Sequence, residues 1–255
     1  MATGRTVLKY SKVYVDGFDM TGDARSFGPL VWQFTEADTT TLGDGVKSAM
    51  PDNVHITPTA INTIFSNTAT TGSQIIMPTQ KTSVLMMPIG IRADPAQGDP
   101  CFMGQFMQKE FMTETAVGDT VSINSPYSGW AAEGATLLYS KPWGYLLHAK
   151  GAETAVNTAV GIDDNAAASA KGGFMVYQLF SSNGTVNIKV QDAATNTNVS
   201  FADLVASGLV DASATPKSGL VALSTTATVR QFLRWQITLG TATTCTFATA
   251  FVRQL

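Results

Sequence analysis

The chain has 255 residues, with 16 Lys and Arg against 19 Asp and Glu, a formal charge of -3, and charged residues make up only 14% of it. That length buries a sizeable core without staples, and a mildly acidic balance is the wrong sign for gripping phosphate backbones. Charged residues usually supply about 25% of a globular chain, so here much of the surface is uncharged Thr, Ala, Ser and Gly, which favours a surface covered by neighbours.

Two cysteines, Cys101 and Cys245, exclude a disulfide framework or a zinc site of the CxxC type and fit a reducing compartment. No stretch reaches the roughly 18 apolar residues of a spanning helix, and "MATGRTVLKYSKVYVDG" lacks a signal-peptide core. The sequence-based expectation is a soluble, unprocessed chain with no membrane contact.

In chain order, short strands are expected at "KVYVDGF", "PLVWQF", "SVLMMPIGI", "DTVSIN", "WGYLLHA", "GFMVYQLF", "TVNIKV", "GLVAL", "QFLRWQITL" and "CTFATAFVRQL". They are rich in β-branched and aromatic residues and separated by Gly, Asn, Asp and Thr clusters, the pattern of an all-β sandwich or barrel. One short helix is expected in "TPTAINTIFSNTATTG", where Thr57 can cap, Pro58 suits the first turn, and Ile61, Ile64 and Phe65 share a stripe. "SFADLVASG" reads either as a second turn of helix capped by Ser200 or as a strand followed by a loop. Asn183 and Gly184 in "SSNGTVNIKVQD" fit a tight hairpin turn, and Val186, Ile188 and Val190 then alternate with Asn187 and Lys189. The small-residue stretch 149–173 reads as a connection, dividing the chain into a β domain at 1–148 and a β-sandwich at 149–255.

Chemistry-bearing patterns are sparse. His55 and His148 are the only histidines and neither sits in a nucleophile motif; His148, inside an apolar strand, reads as a hydrogen-bonded structural residue and His55 as a surface or interface residue. "TLGDGVKS" is not a phosphate loop, because Val46 separates Gly45 from Lys47. Glu36, Asp38 and Asp44 lack the spacing of a calcium loop and read as solvated turn carboxylates. Phe102, Met103, Phe106, Met107, Phe111 and Met112 crowd large apolar groups into one stretch, which fits core filling or an intersubunit seam. No catalytic residue, metal or cofactor is expected.

The order "VYVDGFDMTGD", "FTEADTTTLGDGVKSAMPD" and "GDTVSIN" resembles the amino-terminal pattern of major tail (tail tube) proteins of long-tailed bacteriophages. The matching positions are Asp16, Gly17, Asp19 and Gly22, then Ala37, Thr40, Gly43, Asp44, Lys47 and Pro51; Leu42 stands where the pattern usually has Phe, and Asp52 where it has Gly. The second half resembles the β-sandwich modules appended to phage virion proteins. The resemblance implies a tail-tube-like β-sandwich or barrel followed by a second β-sandwich. It also implies a virion protein, made in the bacterial host cytoplasm, whose rings stack into a tube and meet other virion proteins. DNA then passes without being held tightly. On that reading the Thr- and Gly-rich segment is a loop touching a neighbouring subunit, with Asp38, Thr40, Gly43, Asp44 and Lys47 at the contact and Phe102, Met103, Phe106 and Met107 as a candidate seam.

Two alternatives stay open. One is a decoration protein of the phage head. The other is a carbohydrate-binding β-sandwich using Tyr127, Trp130, Tyr139 and Trp143. One expectation follows from charge: salt should barely affect any DNA association, because too few basic groups exist to release many counterions. Submicromolar binding with a steep salt slope in a titration would overturn it.

Overall fold

The computed structural model describes residues 7–30, 32–40, 49–56, 60–79, 82–91, 93–115, 119–130, 141–158, 161–163 and 167–254. The first half carries β1 (Tyr14–Val15), β2 (Phe18–Asp19), β3 (Ala24–Gly28), β4 (Trp32–Asp38), β5 (Ala49–Ile56) and β6 (Ala60–Ile64). The single short helix α1 (Ser73–Ile76) follows, then β7 (Thr82–Pro88), β8 (Pro100–Gln108), β9 (Met112–Glu114), β10 (Ser122–Trp130) and β11 (Trp143–Glu153). The second half has β12 (Asn157–Thr158), β13 (Ile162–Asp163), β14 (Gly173–Ser182), β15 (Thr185–Ala193), β16 (Ala202–Asp211), β17 (Lys217–Ala222), β18 (Phe232–Leu239) and β19 (Cys245–Arg253). The protein is all-β, as the strand-rich, turn-punctuated sequence implies.

Among the described residues the strands form a 12-stranded antiparallel sheet, a five-stranded sheet and an isolated two-stranded one. The large sheet runs β17-β14-β19-β11-β8-β10-β6-β3, with β7 and β1 branching from β8. Its central strands are apolar on both faces, and the alternation sorts them into three cores. Leu85, Met87, Phe102 and Phe106 face Ile61, Tyr127, Ile76 and Met77 in the first. Val84, Met86, Cys101 and Met103 turn the other way, meeting Leu146, Phe174, Val176, Ala248 and Ala250 inside the curl of the sheet. On the far side Met175, Leu179, Phe247 and Phe251 cover Val186, Ile188, Val190, Leu233, Trp235 and Ile237 of the five-stranded sheet, which makes a sandwich.

Three local expectations are corrected. The segment expected to be helical from Thr57 forms strand β6, in which Ile61 and Thr63 are buried and Ala60 and Asn62 half-buried, a period of two rather than 3.6. The β-branched residues of "AINTI" favour that outcome, as does pairing on both sides, to β10 and β3. The helix lies later, in "SQII". Of the two readings of "SFADLVASG", the strand is found, as β16.

The Asn183–Gly184 pair does not close a hairpin. β14 pairs with β17 and β19, and β15 with β16 and β18, so these two residues carry the chain from one sheet to the other. Neither adopts a positive φ. The Asn183 side chain instead accepts the amides of Thr243 (2.8 Å) and Thr244 (3.1 Å). Gly184 is needed for close approach, since a Cβ there would lie 2.8 Å from the Ala242 nitrogen.

The tight turn is Asp16–Gly17, with φ of 51° and 86°, joining Val15 to its cross-strand partner Phe18. It closes the curl of the large sheet. Gly17 N donates to Gln178 Oε1 on β14 (2.5 Å), and Gln178 Nε2 donates to the Val84 carbonyl on β7 (2.9 Å). That carbonyl also accepts Asp16 N (3.1 Å), while Val84 N donates to Asp16 Oδ1 (2.8 Å).

The expected boundary at 148/149 falls inside β11, which pairs with β8 on one side and with the last strand, β19, on the other. The two halves therefore share a sheet. A chain ending near Lys150 loses β14, β17 and β19 and leaves β11 with an open, apolar edge, so it should be insoluble; soluble expression of that truncation would show the first half to be self-sufficient. Gly17→Ala should cost at least about 1–2 kcal/mol from the left-handed backbone alone. Its new methyl would also sit 2.7 Å from Pro216 Cβ. An unchanged thermal midpoint would refute that constraint.

Candidate assembly surface

The two described ends of the segment that carries the second part of the tail-type pattern lie on a pair of antiparallel strands. β4 and β5 pair from Trp32↔Ile56 to Asp38↔Ala49, with a register shift between Phe34 and Glu36 that sets Pro51 opposite Glu36. Proline lacks the amide a ladder needs, so a bulge is the place a strand tolerates it.

This strand pair is a sheet of its own. Among the described residues neither β4 nor β5 pairs with any other strand, so each offers an unpaired edge of backbone amides and carbonyls. At its distal end Asp38, Thr39 and Thr40 are exposed. Asp38 Oδ1 accepts Thr40 N at 2.9 Å, and hydrogen bonds from Thr40 hold the Asp38 carboxyl below its usual range. Leu42 and the pattern positions Gly43, Asp44 and Lys47 lie outside the described residues.

The apolar seam expected in β8 is located differently. Phe102, Met103 and Phe106 are buried inside the chain, Phe102 stacking on Phe106 at 5.5 Å, so they fill its cores. Met107 is exposed, at 49%. The run carries no alternation because Cys101 to Gly104 are buried on both faces and water reaches the strand only towards its end, at Met107.

Of the aromatics considered for sugar binding, Tyr127 is buried and Trp143 packs edge-on against Phe102 at 5.4 Å; Tyr139 lies outside the described residues. His148 is a buried, bonded ring, with Nδ1 3.2 Å from the Phe247 carbonyl and Nε2 3.2 Å from Glu153 Oε1. It stacks on Phe247 at 4.1 Å, and burial lowers its pKa despite Glu153. His55 stands on β5 opposite Gln33. Among the described residues no group of three or more His, Cys, Asp or Glu is placed to hold a metal. Both cysteines are buried free thiols; burial pushes Cys245 up to about 11.

Sequence reasoning passed over the residues that hold the first part of the pattern in place. Asp19 pairs with Lys150 at 2.7 Å and accepts Thr21 N at 3.0 Å, and Lys150 lies over the Phe180 ring at 4.7 Å. Its partner is 131 residues away in the chain, a distance no local pattern spans.

No family model matches the chain, and no curated protein does. Among solved structures, the chain is similar to the Dit (gp 19.1) protein of phage SPP1, described as a paradigm of the hub adsorption apparatus in phages infecting Gram-positive hosts. Identity is 10%, coverage 95% of this chain and 99% of that one, and the TM-score 0.35. It is also similar to chains of the phage P2 baseplate in its activated conformation. With Ca the figures are 10% identity, 96% and 98% coverage and a TM-score of 0.35; with Sr they are 9%, 96% and 98%, and 0.33. Scores this low do not establish a shared fold.

Proposed function

We propose that the chain is a structural protein of the tail of a long-tailed bacteriophage, and that its copies form rings that stack into the tail tube. The observation that carries this is the isolated β4–β5 hairpin. Its strands carry Ala37 and Pro51 of the tail-type pattern, and both its edges are unpaired among the described residues. An open hairpin edge is completed by backbone bonding to another strand, and identical copies meeting head to tail around an axis close into rings. A weakly acidic chain suits a lumen through which DNA slides without being held. In this reading the protein is not an enzyme; its partners are its own copies and neighbouring virion proteins.

Deletion of Thr39 to Gly45 removes the end of the hairpin while leaving both strands. The expected product is a folded monomer that no longer polymerises, read by circular dichroism, size exclusion and electron microscopy against tubes of the unmodified protein. Normal tubes from the deleted protein would remove the hairpin from the interface. If the unmodified protein makes single rings, a hub or baseplate role replaces the tube; trimers that add to capsids would favour head decoration, and sugar affinity in a monomer the third reading.

A further inference from the structure

The turn that closes the curled sheet contains a carboxyl group whose setting is unusual for a structural aspartate. Asp16 is largely enclosed between β7, β14 and β17. Its Oδ1 accepts Val84 N at 2.8 Å and lies 3.4 Å from the Ser218 hydroxyl, 202 residues further along the chain. Its Oδ2 is buried without a hydrogen-bond partner, and so is the hydroxyl oxygen of Ser83 on the adjacent strand.

Among the described residues no cation is paired with the group. Lys150 of β11 is held by Asp19 of β2 at 2.7 Å, and Lys217 of β17 is exposed and acts on Asp211. From β10, Tyr127 faces it as a buried phenol pushed up to about 12; from β1 itself, Tyr14 is a phenol raised by burial. β7 and β14 present Ser83, the Val84 amide and Gln178. A buried carboxylate with one unpartnered oxygen and no counter-ion is costly, whereas its neutral acid is not.

We infer that Asp16 is a proton-dependent latch: it takes up a proton when the Asp16–Gly17 turn seats against β14 and β17, so that the closure between the two halves tightens on acidification and loosens as pH rises. Burial raises its pKa and outweighs the lowering by the Val84 amide and by the Ser83 and Ser218 hydroxyls close to it. A carboxyl raised in the folded state contributes stability that is complete below its unfolded value, near 3.8, and is lost as pH rises through the folded value. His148 has the opposite sign, since its lowered pKa costs stability as pH falls below about 6.5. A comparison of two variants that both keep His148 cancels it.

The test compares thermal unfolding of the full chain and of Asp16→Asn, which stands for the neutral acid, from about pH 3 to 8. The difference between the two midpoints should be constant below about 3.8 and move in the variant's favour as pH rises, by about 2–4 °C for each tenfold change in the folding constant of a chain of this size. A pH-independent difference would overturn the latch. Carbon-13 titration of the Asp16 carboxyl in the unmodified protein decides even if the variant fails to fold: a midpoint above the ordinary carboxylate range supports the latch, and one at or below it refutes it.

Discussion

Everything in this fold depends on giving the central strands of the large sheet two apolar partners. β7, β8, β11, β14 and β19 carry large side chains on both faces, and a flat sheet with one helix turn beside it could cover only one. Curling the sheet makes one face its own lining, and the five-stranded sheet covers the rest of the other. The curl must close somewhere, and it closes without a continuous backbone ladder. Gln178 and the Asp16–Gly17 turn bridge β14 and β17 to β1 and β7 by side-chain and turn hydrogen bonds, which locate the two edges without forcing them into one register. Gly17 is required because no Cβ fits between that turn and the Pro216–Lys217 backbone.

The same constraint explains the composition. A charge content of 14% reads, from sequence alone, as surface hidden by neighbouring subunits. Part of it is hidden by the chain itself, because three cores drawn from one mid-sized chain leave few strand positions facing water. Some polar side chains that enter those layers are bonded there: the Thr249 hydroxyl donates to the Val176 carbonyl at 3.1 Å, and Arg253 Nη1 to the Val229 carbonyl at 2.9 Å. The exposed apolar residues that remain, such as Val199 and Leu209, are spread over different elements, and singly scattered apolar residues are ordinary on a protein surface.

Strand existence was legible in the sequence where buried and wet positions alternate without a competing helix signal. "TVNIKV" alternates because β15 buries Val186, Ile188 and Val190 against the sandwich and leaves Lys189 to pair with Asp203 at 2.7 Å. β8 was hard to read for the opposite reason: with both faces buried from Cys101 to Gly104, "CFMGQFM" has no period, and an apolar run of that kind is equally a core or an interface. β6 was misread because Pro58 and a threonine before it form a good helix start, while the partners that fix it as a strand, β3 and β10, lie elsewhere in the sequence. The Asn-Gly pair at 183–184 was misread because the rule for that dipeptide presumes that the flanking strands pair with each other. Here the side-chain carbonyl of Asn183 is spent on the Thr243 and Thr244 amides, which is what turns the chain between layers.

The candidate site was legible in a different way. A pattern of common turn residues marked both Asp16–Gly17 and the Glu36–Pro51 segment, yet the two stretches do different physical work. The first is buried, and its residues are fixed by contacts within the chain, so its composition is accounted for by folding alone. In the second, Asp38, Thr39 and Thr40 are exposed, and Asp38 Oδ1 accepts Thr40 N in a local turn. The large sheet closes its curl with the first, while the second stands on a hairpin that no other described strand completes. Folding of one copy explains the first stretch; the second stands on a strand pair whose outer edges have no partner among the described residues, and on the proposed reading a neighbouring copy completes them.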